Sequence, residues 1–430
     1  MSGRIPMSKN LGQDGYKTQM MWGSAGTPVS FDDTSAAAGA ALAELRIDTV
    51  PKFDAMQTSP RTRPLRIALV APSMGILGGQ AVQADRLLRA WRGDPEVEAW
   101  LVPINPSPPD ILRGAIDIKY LRTITTQLCY WPLLFRELRR ADVVHVFSAS
   151  YFSFLLAPLP AVLVAKILGK PVVMNYRSGQ APDHLSRSAL ARATLRWVER
   201  NAVPSRFLKD VFAGHGIGAE IIPNIVDVDR FSFRVRSPLR PRVLSTRNFE
   251  SLYNVSCTLR AFRLVQDRYP EATLTLVGAG SEDERLRALA RELRLEHVRF
   301  AGRVAPEEIW RYYSEADIYL QTPDIDNMPS SVLEAFASGC AVVSTNAGGV
   351  PAILTDERHG LLVECGDYAA AAGQMLRLLG DRALVERLTT AARESCAEYQ
   401  WHAVRSRWLA LYEGMVTPQR PIPEASASAV

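Results

Sequence analysis

The stretch Thr322–Pro351, TPDIDNMPSSVLEAFASGCAVVSTNAGGVP, concentrates the residues whose types and spacing could do chemistry. Pro329 suits the first position of a helix, with Asp326 or Asn327 before it as cap. The helix is expected to run to Ser338, where Gly339 ends it. Its free backbone N–H groups and positive dipole end make a ready phosphate site. Glu334 stands eight residues after Asp326. A carboxylate at that point of the helix can accept two vicinal hydroxyls of a ribose, and Asp326 can accept hydroxyls of a sugar. The plain alternative is a capping Asp326 and an incidental Glu334.

Other chemistries fit less well. Asp324-Ile325-Asp326 and Asp227-Val228-Asp229 match a D-x-D metal signature, but two acids at i, i+2 are common by chance. Gly278-Ala279-Gly280 follows a strand and lacks a third glycine, so it reads as a phosphate-side turn and not as a dinucleotide fingerprint. Asp326 and Glu334 as a glycosidase acid pair would have to work from within one strand-turn-helix element. Five cysteines (Cys129, Cys257, Cys340, Cys365, Cys396) show no paired spacing and read as reduced, buried or semi-buried thiols of a cytosolic protein. The six histidines supply no cluster for structural zinc.

The elements that must position these residues come from a chain of 430 residues, 47% hydrophobic and 22% charged. At about 150 residues per domain that is two or three domains. Residues 1–62 and 416–430 read as disordered. Between them, apolar runs bounded by turn residues read as buried parallel strands: Arg66–Pro72, Ala141–Phe147, Lys170–Asn175, Ala202–Pro204 and Glu220–Pro223. After Pro241 the pattern restarts with Arg242–Ser245, Ala272–Val277, His297–Ala301, Asp317–Gln321, Ala341–Ser344 and Gly360–Val363. Amphipathic helices between them include Gln80–Trp91, Ser205–Ala213, Val255–Arg268, Glu282–Leu293 and Pro306–Glu315. Repeated βα units mean two doubly wound, Rossmann-like α/β domains, 63–235 and 236–400, facing across a cleft where ligands bind.

The net charge of +5 is uneven. Pro64–Val235 carries +7 and Arg236–Met415 carries −3, so the first half suits anionic lipid or a polyanionic acceptor. No nucleic-acid motif is present and no nucleic-acid partner is expected. The first 20 residues lack an apolar leader core. Val146–Ala165 is uncharged and long enough to span a bilayer, but Pro158 and Pro160 interrupt it, so a strand, a loop and a short core helix are expected there.

The motif D-N-M-P-S-S-V-L-E-A-F-A-S-G-C-A-V-V resembles the E-G-x-P-x-x-x-x-E-A-x-A-x-G-x-P-V-V hallmark of the family 4 glycosyltransferases of the GT-B fold. Asp326 takes the first glutamate position and Glu334 the second, with Gly348-Gly349-Val350-Pro351 as the later turn. The resemblance covers roughly Arg66 to Met415 and recurs in order: Gly78-Gly79, VPSRFLKDVF, IIPNIVDVDRF, LVGAG with Gly278 and Gly280, and RFAGRV with Gly302 and Arg303.

That resemblance implies roles. Gly78 and Gly79 would form the loop against the donor phosphate, Gly278 a phosphate-side turn, and Arg247 a diphosphate contact. Arg303 and Val304 would pack on the nucleobase. The turn Asn327, Met328, Pro329 and Ser330 would hold sugar and phosphate, and Glu334 the ribose. Asp326 is one methylene shorter than the usual glutamate, which bears on the donor sugar. The family's lysine five or six residues after the arginine is replaced by Tyr253-Asn254, and Arg177 is the candidate for the missing cation, which would make it a catalytic residue with Asp326, Glu334 and Arg247. The implied activity is a retaining transfer, hexosyl in type, from a nucleotide-sugar to a saccharide, small-molecule or lipid-linked acceptor, as in bacterial-type polysaccharide or glycolipid biosynthesis. It would need no metal or other cofactor. Trp401–Met415 resembles the final helix that crosses back to the first domain. Leu128–Phe135 and Tyr151–Leu155 fit either a membrane-surface acceptor or an ordinary core with a solvated basic face; the expected location is the cytoplasm, with peripheral contact at the inner membrane face under the first of these alternatives. The competing readings are a non-catalytic GT-B scaffold and a nucleotide-sugar epimerase or phosphorylase.

Overall fold

A computed structural model describes residues 63–75, 78–106 and 119–416. The expectations for 1–62 and 417–430 lie outside the described residues. Two six-stranded, wholly parallel sheets form the frame. The first holds β1 (Leu65–Ala71), β2 (Val97–Pro103), β3 (Val143–Phe147), β4 (Val172–Asn175), β5 (Arg200–Val203) and β6 (Glu220–Ile221), in the order β2-β1-β3-β4-β5-β6. The second holds β7 (Arg242–Ser245), β8 (Thr273–Val277), β9 (Val298–Gly302), β10 (Ile318–Gln321), β11 (Ala341–Thr345) and β12 (Leu361–Val363), in the order β12-β11-β10-β7-β8-β9. The strand order reverses at β1/β3 and at β7/β10, and ligands of such sheets sit beyond the strand ends at these switch points.

The apolar runs are continuous because each sheet is covered on both faces. In β1, Ala68 and Val70 face one core with Tyr130, Leu134 and Phe154, while Ile67 and Leu69 face another with Trp91, Trp408 and Tyr412. The same two-residue alternation divides the second sheet: Leu274 and Leu320 pack with helix Val255–Arg268, and Leu244 and Tyr319 pack with helix Ser330–Ser338. Register is set by these pairings, Ile67 opposite Val143 and Val144 opposite Val172.

One strand was not expected: β2 lies where no apolar run was noted. It is an edge strand, with Glu98 exposed and only Val97 and Val102 fully buried, so its apolar signal is diluted. Val146–Ala165 resolves into the end of β3, a short helix Phe152–Leu156 and a helix Pro158–Ile167. Among the described residues no helix is long and apolar enough to cross a membrane. The five cysteines are free, and Cys365 is exposed where a buried or semi-buried thiol was expected. Helix Trp401–Val416 packs on the first sheet, with Trp401 edge-on to Trp91 at 4.5 Å and Arg405 bridging Asp94 at 2.6 Å.

Candidate active site

Two helices begin at the carboxyl ends of central strands. Helix Gly79–Ala90 follows β1 with Gly78 as cap, and helix Ser330–Ser338 follows β10 with Pro329 as cap. Neither start has a side-chain cap, so both leave backbone donors and a positive dipole end open. The expected capping by Asp326 or Asn327 does not occur. Asp326 is committed to Arg247, and Asn327 accepts a hydrogen bond from Ser205. Pro329 therefore stands one place before the helix. Gly339 does end it, at φ 75°.

Both helix starts open on one cleft of about 420 Å³. All thirteen residues singled out in the sequence line it: Gly78, Gly79, Arg177, Arg247, Gly278, Arg303, Val304, Asp326, Asn327, Met328, Pro329, Ser330 and Glu334. The first six strands and the last six each supply part of the wall. Loop 177–180 touches loop 325–327 directly, since a Cβ on Gly179 would lie 3.2 Å from the Asp326 backbone.

Two of the four arginines in the wall are paired. Arg247 Nη2 donates to Asp326 Oδ2 at 2.6 Å, and Arg86 Nη2 donates to Glu334 Oε1 at 2.6 Å. Burial pushes the Asp326 carboxyl above its ordinary range, against the pull of Arg247. Glu334 also accepts from the Tyr313 hydroxyl at 3.1 Å. Arg303 is exposed at the rim. Arg177 donates Nη1 to Asn175 at 3.1 Å, but its Nη2 and the Nε of Arg247 are sealed from solvent without an acceptor among the described residues. Buried donors without partners cost about 1–3 kcal/mol each. A cleft that combines two such guanidinium N–H groups with two uncapped helix starts is built for an anion with several oxygens.

Glycines set the close approaches. A Cβ on Gly349 would lie 2.0 Å from the Asn327 carbonyl oxygen, and one on Gly348 would lie 2.2 Å from that of Asp326. The Gly-Gly turn thus lets β11's loop press beneath the 326–327 turn. A Cβ on Gly278, at φ 153°, would meet the Arg247 carbonyl at 2.2 Å, so this glycine seats Arg247. Around Gly78 and Gly79 a Cβ would meet nothing within 4 Å among the described residues.

Three wall residues were missed or undervalued in the sequence. Gln83 donates Nε2 to Ser330 Oγ at 2.9 Å and to the Ile225 carbonyl at 3.1 Å, and Arg86 holds Glu334. Their signal is a polar row, Gln80, Gln83 and Arg86, at three-residue spacing on one helix face. Tyr253 fills the lysine position differently from a simple loss: its ring lies beneath the Arg247 guanidinium, 4.1 Å from centroid to Cζ. Asn254 caps helix Val255–Arg268 and donates to Asp324 at 3.0 Å.

Away from the cleft, helix Lys119–Leu138 exposes Leu121, Ile124, Leu128 and Trp131 at spacings of one helix face, while Tyr130 and Leu134 are buried. Leu128–Phe135 is thus half core and half surface. Gln127 bonds the Leu156 carbonyl at 2.9 Å, which sets the exposed Phe152 and Leu155 beside that face.

Known proteins agree with this architecture. Residues 77–230 match the family Glycosyltransferase Family 4, and residues 229–395 match Glycosyl transferases group 1. The chain is 27% identical over 409 residues to sulfoquinovosyl transferase SQD2 of Arabidopsis thaliana, covering 85% of this chain and 77% of that one. It is 28% identical over 385 residues to the phosphatidyl-myo-inositol mannosyltransferase of Mycobacterium leprae, covering 84% and 100%. Among solved structures, sucrose-phosphate synthase of Thermosynechococcus elongatus superposes with a TM-score of 0.64 at 20% identity, covering 81% of this chain and 98% of that one. HepE of Anabaena, solved with UDP, gives 0.63 at 15%, covering 81% and 100%. Two parallel sheets meeting at a phosphate-type cleft define a GT-B glycosyltransferase that uses a nucleotide-sugar donor. The chain belongs to the family 4 glycosyltransferases.

Proposed function

We propose that the chain transfers a hexose from a nucleoside diphosphate donor to a lipid-linked or saccharide acceptor, with retention of anomeric configuration and without a resident metal. Residues 63–235 form the acceptor half, 236–400 the donor half, and 401–415 the helix joining them. The observation that carries this reading is the cleft's supply of unsatisfied donors, Arg177 Nη2 and Arg247 Nε, beside two uncapped helix starts.

In this reading the helix starts at Gly78–Gly79 and Pro329–Ser330, with Arg247 and Arg177, stabilise charge developing on the leaving diphosphate. Asp326 aims Arg247 and offers its remaining lone pairs to sugar hydroxyls. Glu334 accepts the ribose hydroxyls once Arg86 releases it. Gly278 seats Arg247, Asn327 and Met328 shape the sugar turn, and Arg303 and Val304 border the base. The exposed apolar face of helix Lys119–Leu138, with Phe152 and Leu155, on the half that carries +7, suits peripheral contact with an anionic membrane that presents the acceptor. One of the relatives named above, the phosphatidyl-myo-inositol mannosyltransferase, carries a lipid in its name, which supports a glycolipid product.

The test supplies labelled UDP-glucose, UDP-galactose and GDP-mannose in turn, with membrane lipid extract as acceptor and EDTA present. The reading expects one donor to label a lipid, with the product's anomeric configuration matching the donor's by NMR. Inverted product, or transfer abolished by EDTA and restored by a divalent cation, contradicts it.

A further inference from the structure

Arg177 opens the loop that follows β4 into the cleft. Its Nη1 donates to Asn175 Oδ1 at 3.1 Å, and its guanidinium lies over the Phe147 ring at 5.6 Å. With Oδ1 so engaged, the Asn175 amide must turn Nδ2 toward His145, whose Nε2 is 3.0 Å away. Nε2 is therefore the accepting nitrogen. The imidazole hydrogen sits on Nδ1 and points at the Tyr412 hydroxyl, 2.7 Å away. Asn175, His145 and Tyr412 are all buried. The His145 ring is stacked on Phe147 at 5.1 Å and lies 4.6 Å from Trp408. Burial, helped by the charge of Arg177, holds the imidazole neutral, with its pKa pushed down to about 3.

The chain of bonds has one polarity. If the Asn175 amide turned over, it would present N–H groups to a guanidinium, which has nothing to accept them. The donor-only guanidinium therefore sets the amide and, through it, the His145 tautomer, and the Tyr412 hydroxyl, accepting from Nδ1, anchors the ring that holds Asn175 in place. Tyr412 belongs to helix Trp401–Val416, which lies across the face of the first sheet away from the helices that follow β3 and β4. The far end of the row is Arg177 Nη2, buried and without a partner at the wall of the cleft.

We propose that Tyr412, acting through His145 and Asn175, is a positioning residue that orients Arg177 toward the diphosphate of the nucleotide-sugar donor. The proposal rests on the donor-cleft reading above. A buried polar row whose members are bonded in series favours one arrangement of them, and an arginine held in one orientation loses less on binding phosphate than one free to swing.

The test is calorimetric titration of UDP and GDP, and of UMP and GMP, into the wild type, Arg177→Ala, Tyr412→Phe and the double variant. The better-bound diphosphate should lose tenfold or more in affinity in Arg177→Ala and threefold or more in Tyr412→Phe, while its monophosphate changes less than twofold in both. The double variant should bind no more weakly than Arg177→Ala, because Tyr412 acts through that arginine. His145→Leu, combined with Arg177→Ala in the same way, should behave like Tyr412→Phe. Losses that multiply in the double variants, or equal losses of mono- and diphosphate, mark a general structural effect and overturn the proposal. So does unchanged diphosphate binding in Tyr412→Phe. If the wild type binds diphosphate and Arg177→Ala binds it equally well, the proposal falls and the donor cleft stands. If the wild type binds neither diphosphate, the donor reading itself falls.

Discussion

Replacing Gly79 by alanine separates what this glycine does for the fold from what it does for the ligand. Gly79 is the first residue of the helix after Gly78. Among the described residues an added Cβ meets nothing within 4 Å, so they set no steric objection. Alanine in place of glycine in a helix is worth roughly 0.5–1 kcal/mol, through lower chain entropy of the unfolded state. On structural grounds alone Gly79→Ala should therefore be neutral or slightly stabilising. If a donor phosphate lies against this uncapped helix start, the methyl group occupies space the phosphate needs. A phosphate held off the backbone N–H groups loses a charge-assisted hydrogen bond of about 1.5–3 kcal/mol, which is a loss of roughly 10- to 100-fold in affinity. The assay is paired: urea denaturation of the ligand-free variant, and calorimetric titration with UDP and GDP. Stability held or raised together with affinity lost by tenfold or more is the expected result. Undiminished affinity would refute the placement of phosphate at this helix start. Lost stability would refute the reading of open space around Gly79.

Further outcomes follow from other parts of the frame. Gly349→Ala is the opposite case: its Cβ would sit 2.0 Å from the Asn327 oxygen, so the 326–327 turn must retreat by an ångström or more. It should lose about 1–3 kcal/mol of stability by overpacking and about 100-fold in turnover, read by denaturation and by rate. His145 is held neutral with a pKa near 3, so the unfolded chain binds the extra proton below about pH 6.5. Stability should fall as pH drops from 6.5 toward 3, by up to about 1.4 kcal/mol per unit, and His145→Gln should remove that much of the slope between pH 6 and 4.5. Burial raises Asp94, but the bonds from Arg405 and from the Glu96 and Val97 amides outweigh it and hold the carboxyl below its ordinary value. Its contribution is present above about pH 4 and is lost as pH falls further. Arg405→Ala should cost about 1 kcal/mol at pH 7 in urea denaturation and flatten the response below pH 4.

Much of this was legible in the sequence because parallel strands buried on both faces announce themselves as unbroken apolar runs. Arg242–Ser245 and helix Val255–Arg268 begin and end where the sequence places them. Edge strand β2 escaped because only part of it is buried. The cleft's strand-turn-helix unit was legible as a motif, since Asp326, Pro329, Glu334 and Gly339 keep a spacing that survives in one dimension. What joins distant parts of the chain was not. Arg86 and Glu334 are 248 residues apart, and nothing local marks an arginine on an amphipathic helix as the partner of a remote carboxylate. The capping expectation failed for the same reason, because Asp326 is drawn to Arg247, 79 residues away. The row from Tyr412 to Arg177 joins two strands, β3 and β4, to the last helix and has no local signature.

The most direct test of the donor cleft is thermal stabilisation of the wild type and Glu334→Ala by UDP, GDP and their sugar conjugates. A ligand of the folded state present at 100 times its Kd adds about 2.7 kcal/mol, a clear rise in the midpoint. The account predicts that one diphosphate series stabilises the wild type and that the rise disappears in Glu334→Ala, each measured against its own ligand-free midpoint. No rise for any nucleotide, or an equal rise in both proteins, would contradict it.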